Sequence, residues 1–438
     1  MMLLVAPLLF VGAVNAIFPR ACISESNLKN KVCCPDYNGS PCGLSSGRGE
    51  CRPNTQRRAA GVIHLWYDDR YSWPDHHFNT TCLCKANYDG YNCGYCKSGY
   101  TGPTCSTRLV IVRREIREYS VPERTTLFAK LHYCKTVISK EYVILTTGDR
   151  LHQDAFKFKD ASYYDIACFA HYYAIKPMVN NSQIFFTINF AHSSSAFLPW
   201  HRKFLLFFEH LMQICLSDPT FAVPYYDWRF DSNCPICTDP FLGDSDKQGA
   251  LSKYSVFSTW RAICAEYDFD DQYCVMSDCI CERAKITRKP GYHPFSRKPT
   301  GADVDRALTY STYDTFPYDP SSTRSFRNIL EGFMSAVDGV TRTTGLHNLF
   351  HVYCGGTMTQ VPISANDPMF YLHHAFVDKI FEVWIRRYGV TPAEYPPNTI
   401  YGHGPNECMP PFFPCCVTRD YLTTSIALGY DYSFYNHF

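Results

Sequence analysis

Asn366-Asp-Pro-Met-Phe-Tyr-Leu-His-His-Ala-Phe-Val-Asp-Lys-Ile-Phe-Glu-Val-Trp384 is the stretch from which the rest of the chain can be read. Its opening, a capping Asn366 followed by an acid and a proline, predicts the first turn of a helix. Val377, Ile380, Phe381 and Trp384 then fall on one apolar face. The doublet His373-His374 sits early on that helix. Just upstream, His347-Asn-Leu-Phe-His351 places two imidazoles four residues apart on a second expected helix, over about 343–354. Both rings then leave one face about a turn apart, a spacing that lets two imidazoles grip one borderline metal ion. On a lone helix the same pair is commonly two surface histidines. His374 completes a set of three, with Asp378 four residues on to orient its second ring nitrogen, or else to pair with a neighbour such as Arg387. His373 points about 100° away around the helix and is expected to wall the pocket.

A second trio, His171, His192 and His201, lies further upstream. Two such sets facing each other can bind and split a small molecule between them, so the reading is a dinuclear metal enzyme. The framework is expected to be mainly α. Leu127, Leu131, Cys134 and Ile138 form one helical stripe, and His171 ends a helix over about 160–175. Another helix is expected from Pro199-Trp200 through Glu209, with His201, Leu205 and Phe208 inward and His192 in the connection before it. Residues 230–320, rich in Cys, Asp, Tyr and Pro, read as loops around a helical bundle.

The first hundred residues differ. Ten cysteines fall between Cys22 and Cys105, and the run Cys82-x-Cys84-x8-Cys93-x2-Cys96-x8-Cys105 looks like an epidermal-growth-factor-type or laminin-type module. Such a segment buries little apolar area and is held by disulfides. We expect a covalent staple for its neighbour rather than a contact surface. The division is 1–16, a secretory signal peptide ending in Val14-Asn15-Ala16; 17–107, a cysteine-rich EGF-like domain; and 108–438, the catalytic domain.

The 438 residues are 46% hydrophobic and carry a net charge of +1, which argues against nucleic acid and anionic membranes as partners. Twenty-three cysteines behind an export signal mean an oxidising compartment, and the odd count leaves at least one without an intrachain partner. Sequons at Asn79 and Asn180 fit glycosylation on that route, with Asn38 a weaker acceptor before Pro41. No stretch is long and apolar enough to span a bilayer. The expected location is therefore the secretory pathway, either secreted or in the lumen of a vesicle.

FAHSSSAFLPWHRKFLLFFE (190–209), PYYDWR (224–229), RNILEGF (327–333), HNLFHVY and NDPMFYLHHAFVDKIFEVW strongly resemble the two metal-binding regions of tyrosinases, which are type 3 copper enzymes. The opening FPRACISESNLKNKVCCP and the segment SGRGECR resemble the start of vertebrate-type members. The resemblance implies a dicopper four-helix-bundle domain. It places His171, His192 and His201 on the first copper and His347, His351 and His374 on the second. Dioxygen is the co-substrate, and small phenols (tyrosine, DOPA) are hydroxylated and oxidised to o-quinones at the start of melanin synthesis. Glu331 and Asn348 match a pair that holds a water near the second copper, Glu331 taking the phenolic proton through it and Asn348 orienting it. Phe333, Val361 and Ser364 match positions lining the substrate pocket, where a substrate ring would stack on His374. Two rivals share the pattern: a zinc-bearing relative of the dopachrome tautomerase type, and a hemocyanin-like oxygen carrier. The relatives have a lone histidine where this chain has His373-His374, and carriers shield the site with an added domain that this chain does not show. A non-catalytic adhesion protein would need only the cysteine-rich module, and six histidines at ligand spacing argue against it.

Overall fold

The computed structural model describes residues 16–54, 70, 72–149, 152–176, 178–180, 183–185, 189–264, 284–292, 297–333, 344–397 and 399–433. Nearly all of the signal segment, most of the Asn180 sequon and the Cys279-x-Cys281 pair lie outside them. Eight α-helices order the described residues: α1 Glu25–Asn30, α2 Val121–Thr136, α3 Tyr163–Ile175, α4 Phe197–Leu216, α5 Gly301–Ala307, α6 Phe326–Glu331, α7 Leu346–Cys354 and α8 Met369–Tyr388. Among the described residues no helix is long and apolar enough to cross a membrane.

The helices follow from local signals. Ser120 and Glu123 make a reciprocal capping box on α2, and Ser162 accepts from Asp165 N–H to open α3. The α2 stripe is one residue too ambitious: the helix stops at Thr136, and Ile138 is 48% exposed, bridging to Ser162 as extended backbone. α4 is longer than the expected span because Phe197 and Leu198 already pack inward. At the start of α8 it is Asp367, not Asn366, that accepts the Met369 N–H, at 2.9 Å. Asn366 instead ties the backbone of Ile263, accepting from its N–H and donating to its carbonyl. α8 is buried on every face from Met369 to Ile385 rather than along a single stripe, which makes it the central helix.

Charges inside this core are paired, as burial demands. Arg202 of α4 donates to Asp378 Oδ1 at 2.6 Å and to Glu382 at 3.2 Å, both on α8. Arg113 donates to Asp378 Oδ2 at 3.0 Å and grips Glu209 of α4 with two bonds of 2.8 Å. Arg288 holds Asp367 bidentately. Strand Ile111–Arg113 pairs in parallel with Tyr430–Tyr432, and the hydroxyls of Tyr430 and Tyr432 both donate to Asp378.

The ten cysteines of the N-terminal module pair among themselves: 22–33, 34–51, 42–82, 84–93 and 96–105. Its main sheet joins Gly49–Pro53 to Thr80–Cys84 in antiparallel register. The module is fastened to the helical part at several points. Arg70 caps the end of α3, donating to the carbonyls of Tyr173 and Ala174 at 3.1 Å each. Trp73 donates to the Phe412 carbonyl at 2.9 Å. Gly99 meets Gly429 so closely that a Cβ on Gly429 would lie 2.0 Å from the Gly99 Cα, which requires glycine there. Strand Ile17–Pro19 extends a sheet with Tyr142–Asp149 and His152–Lys159. Beyond the module, Cys134–Cys215 ties α2 to α4, and Cys234–Cys237 and Cys408–Cys415 close short loops. Cys415 therefore pairs with Cys408 rather than with its neighbour Cys416.

Candidate metal centre

Four helices bring five of the six expected histidines together: α3 carries His171, α4 His201, α7 His347 and His351, and α8 His374. His192 comes from the connection between α3 and α4. All but His351 are buried. In the first set the ligand atoms of His171, His192 and His201 lie within 4.8 Å of one another. In the second, His374 Nε2 lies 3.2 Å from His347 Nε2 and 3.2 Å from His351 Nε2. Two nitrogens bound tetrahedrally at about 2.0–2.1 Å from one metal stand roughly 3.3 Å apart, so this spacing is that of a shared ion.

Tautomers decide what those nitrogens offer. His347 Nδ1 faces two acceptors, Asn348 Oδ1 at 2.9 Å and the Glu331 carbonyl at 3.2 Å. His351 Nδ1 faces the Met358 carbonyl at 2.7 Å, and His201 Nδ1 the Phe197 carbonyl at 2.9 Å. A carbonyl only accepts, so each Nδ1 carries the proton and each Nε2 presents a lone pair. His201 Nε2, His374 Nδ1 and both nitrogens of His171 are buried without a hydrogen-bond partner. Burial pushes His201 down to about 3 and His351 to about 4, and holds His171, His192, His347 and His374 well below the usual imidazole range. Neutral rings with converging, unpaired lone pairs fit a pair of borderline metal ions.

The sets face each other. The rings of His201 and His374 stack at 4.4 Å, and His347 lies 6.2 Å from His201 and 6.3 Å from His192. His373 also falls within ligand range of His347 and His351. Its Nδ1, however, accepts the Trp228 indole N–H at 3.2 Å and its ring lies flat between His347 and Phe350, so it walls the site.

Three sequence expectations are altered by the geometry. Asp378 does not orient His374: its oxygens are taken by Arg113, Arg202, Tyr430 and Tyr432, while His374 Nδ1 makes no hydrogen bond. The i, i+4 relation is there, but the carboxylate turns to the guanidinium groups, and the expected Arg387 partner instead donates to the Leu308 carbonyl. The His374 ring is already engaged by two rings, Phe370 stacked at 4.0 Å and His201 at 4.4 Å, which leaves a substrate ring less of it than expected. Ser364 is buried with its hydroxyl donating to the Val361 carbonyl at 3.0 Å, whereas Val361 is 47% exposed and Phe333 half-buried.

Glu331 closes α6 where Gly332, at φ 117°, lets the chain pass so near α7 that a Cβ would sit 2.2 Å from the Gly345 carbonyl. Glu331 Oε1 accepts the Ser193 N–H at 2.5 Å beside His192, and Oε2 accepts from Arg327 at 3.1 Å. Its own carbonyl faces His347, so one residue joins a ring of the second set to the backbone next to His192. Burial raises its carboxyl to about 7 in spite of Arg327. Several supports escaped the sequence reading. His403 Nδ1 accepts the Ala196 N–H at 3.1 Å and its Nε2 donates to the Asn189 carbonyl at 2.7 Å, clamping the loop of His192. Asp314 accepts from Ser195 and doubly from Arg327. Both lie in aperiodic connections with no spacing signal, while Phe197 and Phe370, beside the ligands, were legible only as generic core residues.

The model for the common central domain of tyrosinase matches residues 160–387, a stretch that holds all six histidines. The chain is 40% identical to tyrosinase of Bos taurus over 433 residues, 95% of this chain and 82% of that protein. It is 41% identical to tyrosinase of Felis catus, over 95% and 81%. To the 5,6-dihydroxyindole-2-carboxylic acid oxidase of Gallus gallus it is 36% identical, over 95% and 83%. Two facing sets of neutral imidazoles, inside a stretch that matches this central domain, make the chain a member of the tyrosinase family.

Proposed function

We infer that the protein is a copper-dependent monooxygenase and oxidase that hydroxylates monophenols such as tyrosine to o-diphenols such as DOPA and oxidises these to o-quinones, the entry to melanin. Membership of the tyrosinase family supports the activity. The observation that carries it to particular residues is the convergence of imidazole nitrogens whose opposite nitrogens are fixed by carbonyls. His171, His192 and His201 hold one copper, and His347, His351 and His374 hold the other. The bound copper pair supplies the redox chemistry with dioxygen as co-substrate.

The remaining steps belong to the chain. A phenol has a reference pKa near 10, so hydroxylation needs a base close to neutral strength. Glu331, raised to about 7, has that strength and takes the phenolic proton through a water. Asn348, with its oxygen committed to His347, offers its amide N–H pair to hold that water. His351 is the partly exposed member of the second set, so we place substrate entry on its side, past Val361 and Phe333, with Ser364 bracing the Val361 backbone from beneath. The four histidine-bearing helices serve as the metal-holding bundle, residues 17–107 as an EGF-like domain and 108–438 as the catalytic domain. Disulfides throughout the module, and Asn79 exposed for glycosylation, suit passage through the secretory pathway.

Metal analysis of the purified protein, together with oxygen uptake on tyrosine and DOPA, tests this. Two coppers per chain, with uptake on both substrates, is the expected result. Stoichiometric zinc without oxygen consumption defeats the assignment, and two coppers that bind oxygen reversibly without forming quinone point to a carrier.

A further inference from the structure

The buried lattice around Asp378 lies one helical turn from the metal centre and touches none of its ligands. We propose that Asp378 is a positioning residue that fixes the distance between the two metal ions by locking α4 to α8; this rests on the dicopper reading above. α4 supplies His201 and α8 supplies His374, and their rings stack at 4.4 Å, nearer than the 6.2 Å and 6.3 Å that separate His347 from His201 and His192. The residue after His201 is Arg202, fully buried, whose guanidinium donates to Asp378 Oδ1 at 2.6 Å. Asp378 follows His374 by four residues. The bond between the two helices is thus made within one turn of a ligand on each, and a slide of either helix would move the two rings past each other.

The second oxygen of Asp378 is held from outside the bundle. Arg113 donates to it at 3.0 Å and also clamps Glu209 on α4 with two bonds. Tyr430 and Tyr432 donate to the same oxygen, and the Arg113 guanidinium lies 3.9 Å above the Tyr430 ring. A carboxylate that only filled the core would need one cationic partner. This one has two arginines from separate elements and two phenols, each direction closed, which is how a helix is stopped from sliding or rotating. Asp378 makes no bond to His374, so its influence passes through helix register rather than through ring basicity.

The test is Asp378→Asn in the full chain, with Tyr430→Phe/Tyr432→Phe as a second, milder variant that keeps both arginine pairs. Metal content, the metal–metal separation from X-ray absorption and the electron paramagnetic resonance of the oxidised copper protein are measured beside steady-state kinetics on DOPA. Asp378→Asn is expected to keep two metal ions, to change their separation, and to make visible a fraction of copper that magnetic coupling silences in the parent. Its kcat falls about 10- to 100-fold, with KM for DOPA within about twofold. The tyrosine pair shows the same spectral change to a smaller extent, and Asp378→Glu recovers part of it. Unchanged separation and silent copper in a folded Asp378→Asn protein overturn the proposal. If that variant does not fold, parent-like spectra in the tyrosine pair overturn it instead. Zinc in place of copper in the parent defeats the functional reading alone, because X-ray absorption reports the separation for either metal.

Discussion

The two histidine sets do the same job on different scaffolds. The second is assembled locally: His347 and His351 share one helix, His374 sits early on the next, and acceptors at Asn348 and Met358 fix the Nδ1 protons of His347 and His351. The first is assembled from afar. His171 sits on α3, His201 on α4 and His192 on the loop between, which is pinned by His403, Asp314 and Glu331 from the distant C-terminal half. A site built on one helix pair inherits its geometry from helical spacing, whereas a site built on a loop needs long-range hydrogen bonds to replace it.

The largest effect expected is loss of all oxygen uptake on removing a ligand from either set. His374→Ala should leave a single metal in the first set, and His171→Ala a single metal in the second, by metal analysis. Loss of both metals from either variant would mean that the sets are not independently built.

Acidification comes next. The six rings have folded pKa values below the unfolded value near 6.5, so the unfolded chain binds more protons as pH drops. Stability of the metal-free protein is therefore whole above about pH 6.5 and declines as pH falls toward the folded values, by about 1.4 kcal/mol per pH unit for each histidine. Calorimetry of the apo-protein between pH 7 and pH 5 should show a falling unfolding temperature; a flat profile would place the rings in contact with solvent.

Glu331 bridges the two regions, its carboxylate on the backbone after His192 and its carbonyl on His347. Glu331→Gln should slow tyrosine hydroxylation by about 10²–10⁴-fold while DOPA oxidation suffers much less. Equal loss on both substrates would assign the residue to scaffolding instead. Smallest is His403→Ala, expected to weaken the first metal by about 10- to 100-fold and to spare the second. Titration of apo-protein with copper checks it, and equal weakening at both sites would erase the contrast between them.

This contrast also explains what was legible in advance. The His347–His351 pair and α8 could be read from spacing because helical periodicity turns sequence separation into spatial adjacency. The first set came only as a cluster of three histidines and took its meaning from the family resemblance. Asp378 illustrates the limit: the interval from His374 was right and the partner wrong, since nothing local reveals that Arg113, 265 positions earlier, arrives at the same carboxylate. His403 and Asp314 were silent for the same reason.

Arg70 deserves a last consequence. A residue of the cysteine-rich module terminates the helix that bears His171, four positions beyond it in the case of the Ile175 end. The module is thus not a bead that can be exchanged or trimmed while the catalyst stays whole. Rearrangement that dropped it would expose the last carbonyls of a ligand-bearing helix, so the two parts of the chain are bound to change together.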